Sequence, residues 1–120
     1  MSKRILVVED EDNMRELLGD VLKMCGYKVI FAEDGLEALS KSMEEKIDLI
    51  IMDVNLPKMD GYEAFKLMRE NKKTRDIPVI VNSCAALMST VDKFMALGAR
   101  DYHLKSQGSV KLIDKIKKYI

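Results

Sequence analysis

Four acidic residues, Glu9, Asp10, Glu11 and Asp12, follow directly on the apolar run Arg4–Val8. A later apolar run ends in Asp53, another in Ser83, and a last, weaker one in Lys105. Carboxylates held close together raise one another's pKa, so a cation is needed to keep them ionised. Oxygen donors with no histidine or thiol among them suit Mg²⁺ rather than zinc or copper. One metal, one ammonium and one hydroxyl around a carboxylate make a setting for phosphoryl chemistry. Asp53 is then the nucleophile that forms an acyl phosphate. Mg²⁺ and Lys105 stabilise charge on the transferring oxygens, and Ser83 donates a hydrogen bond to one of them. Each residue alone reads as an ordinary solvated strand end. Their joint placement gives the reading its force.

The elements that must bring these residues together are legible as alternating patterns. Arg4–Val8 and Lys28–Ala32 are apolar, β-branched runs, as are residues 48–53 and 78–83, and 101–105 is a weaker strand. Between them, Met14, Leu17, Leu18, Val21, Leu22 and Cys25 fall at helical spacing, with Gly26 as a stop. Leu36, Leu39 and Met43 mark a second helix, and residues 61–71 a third with Phe65 and Met68 inward. Leu87, Val91, Phe94 and Met95 outline a fourth closed by Gly98, and Val110, Ile113, Ile116 and Ile120 the last. Continuous apolar strands alternating with amphipathic helices predict an α/β fold, a parallel sheet covered on both faces. Right-handed crossovers favour an open, doubly wound sheet. Such sheets bind ligands beyond the carboxyl ends of their strands, where the acids, the hydroxyl and the lysine stand.

A chain of 120 residues is expected to form one domain, 1–120, with a single core. Twenty basic residues offset twenty acidic ones, which argues against nucleic-acid binding through an overall positive field. Charge is uneven: residues 1–20 carry net −3 and residues 105–120 net +4, the latter read as a solvated helix face. Cys25 and Cys84 have no metal-ligand spacing or disulfide framework, and neither a signal segment nor a membrane span is visible. A reduced, cytoplasmic setting without membrane contact is expected.

The motifs V-V-E-D-E, D-V-N-L-P-K-M-D-G, P-V-I-V-N-S-C-A and G-A-R-D-Y-H-L-K occur in this order along the chain. Together they resemble the receiver domain of bacterial response regulators, the CheY-like family, over essentially the whole length. The resemblance implies a flavodoxin-like, five-stranded sheet of order 2-1-3-4-5 with five helices on both faces. It implies a signalling switch, not an enzyme acting on an external substrate. Asp53 matches the aspartate that receives a phosphoryl group from the phosphohistidine of a sensor kinase or phosphotransfer protein. Glu9 and Asp10 match the acidic pair that binds Mg²⁺ with Asp53, Asp10 more directly, and Asn55 matches the residue whose backbone carbonyl completes the metal shell. Ser83 stands where the family has the hydroxyl that moves to the phosphoryl group, and Lys105 matches the lysine that pairs with it. Tyr102 matches the aromatic that turns inward with that hydroxyl, altering the helix 4–strand 5–helix 5 surface where a downstream protein docks; a packed ring at a strand edge is the plainer reading. Pro57, Met59 and Gly61 shape the loop after strand three, Gly61 freeing the turn into helix three. Asp60 reads as loop architecture.

Three positions depart from the family pattern. Ser106 replaces a proline that usually follows the lysine through a cis bond, so a trans, differently shaped loop and a less firmly aimed Lys105 are expected. Asn82 occupies a usually apolar strand position, where a buried amide needs partners. Cys84 replaces a smaller residue beside the phosphorylation site; it reads as a small buried hydrophobe, or as a sulfur that narrows access for the phosphodonor. His103, the one histidine, reads as a passive strand residue rather than a phosphoryl carrier. Competing functions fit less well. A phosphatase of the haloacid-dehalogenase type wants a second aspartate where Asn55 stands. A flavodoxin-like carrier wants Ser, Thr and Gly where E-D-E-D stands. The nearer rival is a degenerate receiver that acts as a phosphorylation-independent scaffold.

Overall fold

In a computed structural model, which describes residues 2–84 and 88–120, the apolar runs are strands. Along the chain come β1 (Arg4–Val8), α1 (Asp12–Met24), β2 (Lys28–Ala32), α2 (Gly35–Glu44) and β3 (Leu49–Asp53). They are followed by α3 (Gly61–Glu70), β4 (Val79–Ser83), α4 (Met88–Ala96), β5 (Asp101–Leu104) and α5 (Ser109–Tyr119). All strand pairs are parallel, in the order β2-β1-β3-β4-β5. This is the doubly wound α/β sheet expected.

Period-two alternation splits the core in two. Ile5, Val7, Leu49, Ile51 and Ile80 face α1 and α5, where they meet Leu18, Leu22, Leu112, Ile113 and Ile116. Leu6, Val8, Ile50, Met52 and Val81 face the other way, against Ala38 of α2, Phe65 and Met68 of α3 and Phe94 of α4. Central strands β3 and β4 are buried throughout, which is why their sequences run apolar without alternation. Phe65 stacks on Phe94 at 5.8 Å between ring centres, and Tyr62 meets Phe94 edge-on at 5.5 Å. The fully buried Phe65 and Phe94 each contribute about 1.5–3 kcal/mol.

Side-chain caps set where helices begin. Glu11, Asp34 and Asp60 accept hydrogen bonds from the backbone N–H of Met14, Glu37 and Glu63, three residues on in each case. Asp60 is thus loop architecture, as read. Gly26 and Gly98 take positive φ just beyond α1 and α4. Asp48 lies outside β3 and accepts from Arg4 N–H at 2.8 Å.

Helix faces differ from the reading in part. α2 buries Gly35, Ala38 and Ser42, while Leu36 and Met43 are exposed. Small residues face inward because the helix sits too close for large ones: a Cβ on Gly35 would lie 2.0 Å from the Met59 carbonyl oxygen. Leu17, Met95 and Val110 are exposed as well, and Leu112 joins Ile113 and Ile116 on the buried face of α5. Leu87 lies outside the described residues.

Candidate functional site

Alternation along the strands carries polar groups to one edge of the face that α1 and α5 cover. On β3 the residues facing that way are Leu49, Ile51 and then Asp53, and on β4 Ile80 is followed by Asn82. Asp53 pairs in register with Asn82, and Asn82 with His103. Two residues beyond Val7 stands Glu9, and two beyond His103 stands Lys105. The sheet therefore ends, on this side, in a row of polar side chains.

Lys105 Nζ donates to Glu9 Oε1 at 2.7 Å and to Asp53 Oδ2 at 3.0 Å. The Glu9 and Asp53 side chains are only 3% and 8% exposed, so this ammonium is their nearest compensating charge. Burial pushes the Lys105 pKa down, but hydrogen bonds and charge from Glu9 and Asp53 outweigh it and lift it above the ordinary lysine value. Glu9 Oε2 also accepts from Glu11 N–H at 3.2 Å. Asp10 is exposed beside them, and one carboxylate oxygen from each of Glu9, Asp10 and Asp53 lies within 4.8 Å of the others. Three carboxylates against one lysine leave negative charge for a small hard cation. The all-oxygen donor set suits Mg²⁺. Glu9, Asp10, Asp53, Asn55, Cys84 and Lys105 line one cleft.

Glycine space holds the loop from Asp53 to α3. A Cβ on Gly61 would lie 2.1 Å from the Asp53 carbonyl oxygen, so Gly61 serves close approach rather than turn freedom. The residue with left-handed backbone is Lys58, at φ 64°. Its ammonium reaches the Asp34 carboxylate at 3.6 Å, tying this loop to the start of α2.

Ser83 is buried at the end of β4. Tyr102 lies on the opposite face of the sheet, packed against the α2–α3–α4 core, and its buried hydroxyl has no hydrogen-bond partner among the described residues. Lys105–Ser106 is not cis, as expected, and residues Lys105–Gln107 form one turn of 3₁₀ helix. That different loop nevertheless delivers Lys105 onto both carboxylates. Cys84 is exposed, contrary to the buried reading, because it stands one residue past the strand. Asn82 and His103 are buried, and each is the other's partner, with His103 Nδ1 3.0 Å from Asn82 Oδ1. The sequence reading noted both and did not pair them. It also passed over Arg15, whose guanidinium donates to the Glu9 carbonyl at 2.9 Å and bridges Asp12 and Glu33. Its signal was available: Arg15 is the sole cation among residues 9–20.

A doubly wound parallel sheet of order β2-β1-β3-β4-β5 with an acidic cleft and a lysine at its carboxyl edge places the chain among the flavodoxin-like α/β domains, which bind ligands at that edge. Residues 5–117 match the family model of the response regulator receiver domain, and the chain belongs to that family of two-component signalling domains. Among relatives, the polar-differentiation response regulator DivK of Brucella ovis is 32% identical over 120 residues, covering all of this chain and 98% of the relative. The two-component response regulator-like APRR5 of Arabidopsis thaliana is 38% identical over 104 residues, 85% of this chain but only 19% of that longer protein. Among solved structures, the Vibrio cholerae chemotaxis protein CheY4 superimposes with a TM-score of 0.93 at 28% identity, covering both chains completely. The receiver domain of the Pseudomonas aeruginosa sensor histidine kinase PA1611, with a magnesium ion coordinated in its active-site cleft, gives 0.91 at 28% identity over 99% of this chain and 98% of that one. No helix among the described residues is long and apolar enough to cross a membrane.

Proposed function

We propose that this domain is a phosphorylation-driven switch whose acceptor is Asp53. The supporting observation is the ammonium of Lys105 held 3.0 Å from Asp53 Oδ2 inside a cluster of acids. An Asp53 carboxylate oxygen attacks the phosphorus of a phosphohistidine on a sensor kinase or phosphotransfer protein. The P–N bond breaks, an acyl phosphate forms, and the departing imidazole nitrogen keeps the electron pair and is protonated. Lys105 then pairs with a phosphoryl oxygen in place of the Asp53 oxygen it now holds, and the Ser83 hydroxyl donates to another. Glu9, Asp10, Asp53 and the Asn55 carbonyl are the residues that would hold Mg²⁺, which when bound supplies positive charge to the transferring oxygens.

The new charge is read out by Tyr102, which turns inward as Ser83 moves. Its hydroxyl is buried without a hydrogen-bond partner among the described residues, which supports a ring position open to small changes nearby. That movement alters the α4–β5–α5 surface for a downstream protein, without direct nucleic-acid or membrane contact, in the cytoplasm. Self-catalysed phosphoryl transfer and hydrolysis are the only chemistry. Intact-mass measurement with acetyl phosphate and Mg²⁺ tests the reading. The unmutated chain gains one phosphoryl group and Asp53→Ala gains none. An unchanged mass for the unmutated chain overturns it in favour of the phosphorylation-independent scaffold.

A further inference from the structure

The His103 ring is buried and bonded at both nitrogens, Nδ1 to the Asn82 side chain and Nε2 to the Gly108 carbonyl oxygen, each at 3.0 Å. A neutral imidazole donates at one nitrogen only. Donation from Nε2 to Gly108 leaves Nδ1 an acceptor, satisfied when the Asn82 amide is turned to present its NH₂. Burial, reinforced by Lys115 and Lys111, holds the His103 pKa below the ordinary value against the opposing effects of the Gly108 bond and Asp101, consistent with a neutral ring.

What this pair fastens is the segment that carries Lys105. The 3₁₀ turn begins at Lys105 and closes on Gly108 through a long 3.4 Å backbone bond. Ser106, Gln107, Gly108 and Ser109 are exposed, and no side chain caps the start of α5. At the other end of the pair, Asn82 stands in register beside Asp53. A cavity of about 160 Å³ lies over the ring, between Met14, Leu17 and Leu18 of α1 and Leu112 of α5, so packing from that side does not hold the ring. Two apolar residues of similar shape would fill these positions without the desolvation cost of a buried polar pair, which makes stability alone a poor explanation.

We propose that Asn82 and His103 are positioning residues that brace the Lys105 turn against the strand beside Asp53, and so hold the lysine ammonium at the phosphoryl-acceptor carboxylate. The effect on phosphoryl transfer rests on the reading of Asp53 as acceptor; the bracing of Lys105 does not.

Two measurements on the full chain test it. Acetic anhydride labelling of Lys105, followed by peptide mass spectrometry, reports how closely the amine is held without any phosphorylation. Acetyl phosphate with Mg²⁺ gives the rate at Asp53. The side-chain nitrogen of glutamine falls near that of His Nε2 and that of asparagine near Nδ1. His103→Gln therefore keeps the donor to Gly108 but leaves Asn82 unpaired, so it labels Lys105 only a little faster than the unmutated chain, whereas His103→Asn and His103→Leu label it faster still. They also slow phosphorylation by about tenfold to a hundredfold, the cost of misplacing a catalytic group by an ångström or less. In a Lys105→Ala background, His103→Leu adds no further loss, because the ring acts through the lysine. Since single variants leave a buried group unpaired, the apolar pair Asn82→Val with His103→Leu is the folded control. If that control folds, and both its labelling and its phosphorylation stay within about twofold of the unmutated chain, the brace is refuted. If the unmutated chain takes up no phosphoryl group, the Asp53 reading fails, and Lys105 labelling still decides the brace.

Discussion

Lys105→Met removes the ammonium that bridges Glu9 and Asp53 while keeping a similar aliphatic stem. Unit charges 4.8 Å apart, the outer limit among the three acids, repel by about 3.5 kcal/mol at an effective dielectric of about 20. An ammonium 3.0 Å from a carboxylate attracts it by about 5.5 kcal/mol on the same scale. The lysine thus outweighs the repulsion it spans, and its loss turns net attraction into net repulsion between two largely buried charges. Removing one partner of such a pair costs about 3–5 kcal/mol, and the exposure of Asp10 and the open cleft place the expected loss near the lower end. In urea without metal, about 3 kcal/mol corresponds to a midpoint lower by about 1.5 M, for a slope near 2 kcal/mol per M. A bound dication at about a hundred times its Kd adds about 2.7 kcal/mol. The variant, with one more uncompensated negative charge, gains more from Mg²⁺ than the unmutated chain, so the gap narrows. Urea titrations by circular dichroism in EDTA and in Mg²⁺ measure both quantities. Equal midpoints in EDTA, or a gap that Mg²⁺ widens, would refute the assignment of Lys105 as the charge that makes this cluster tolerable.

Gly61→Ala drives a Cβ against the Asp53 carbonyl and is expected to cost about 1–3 kcal/mol by urea unfolding, and to slow phosphorylation because the acceptor strand must shift. Asp34→Ala removes the cap on Glu37 N–H and is expected to cost about 1 kcal/mol; the Lys58 pair adds little, since that ammonium is mostly in water. His103, faced by Lys115 and Lys111 from α5 and by Asp101 on its own strand, has a folded pKa below the ordinary 6.5. The unfolded chain therefore binds the proton first. Its contribution to stability is intact above about pH 6.5 and is lost as pH falls from there toward the folded value, so the stability gap between the unmutated chain and His103→Gln shrinks below pH 6.5 in urea titrations at stepped pH.

The legible and illegible parts of this molecule separate on physical grounds. Strands were readable because a sheet buried on both faces demands unbroken apolar runs, as in residues Leu49–Asp53. A break in such a run, at Asp53 or Lys105, marks an edge, and edges of parallel sheets are where ligands bind. That is why Glu9, Asp10, Asp53 and Lys105 could be gathered before any coordinates. Helix faces were less readable. Periodicity finds the large apolar residues, whereas α2 turns Gly35, Ala38 and Ser42 inward, with Gly35 tight against the Met59 carbonyl. Close approach leaves no pattern in one sequence beyond a small residue.

Asn82 and His103 show the other limit. Each, taken alone, is a polar residue in an apolar strand, and 21 positions separate them. Only the register of β4 against β5 makes them partners, and only the turn after β5 gives the second ring nitrogen its acceptor at Gly108. Two anomalies in neighbouring strands at the same distance from the sheet edge are far more informative together than apart, because a buried donor and a buried acceptor each remove the cost of the other. Counting back from the paired strand ends Ser83 and Leu104, Asn82 and His103 each lie one position in. The pair was therefore within reach of the sequence once strand register was treated as something to be solved, with unsatisfied polar groups as its constraints. Where Ser106 stands in place of the usual proline, the turn is tied by Gln107 Oε1, which accepts from Leu104 N–H at 3.1 Å, and by the contact of His103 Nε2 with the Gly108 carbonyl oxygen at 3.0 Å.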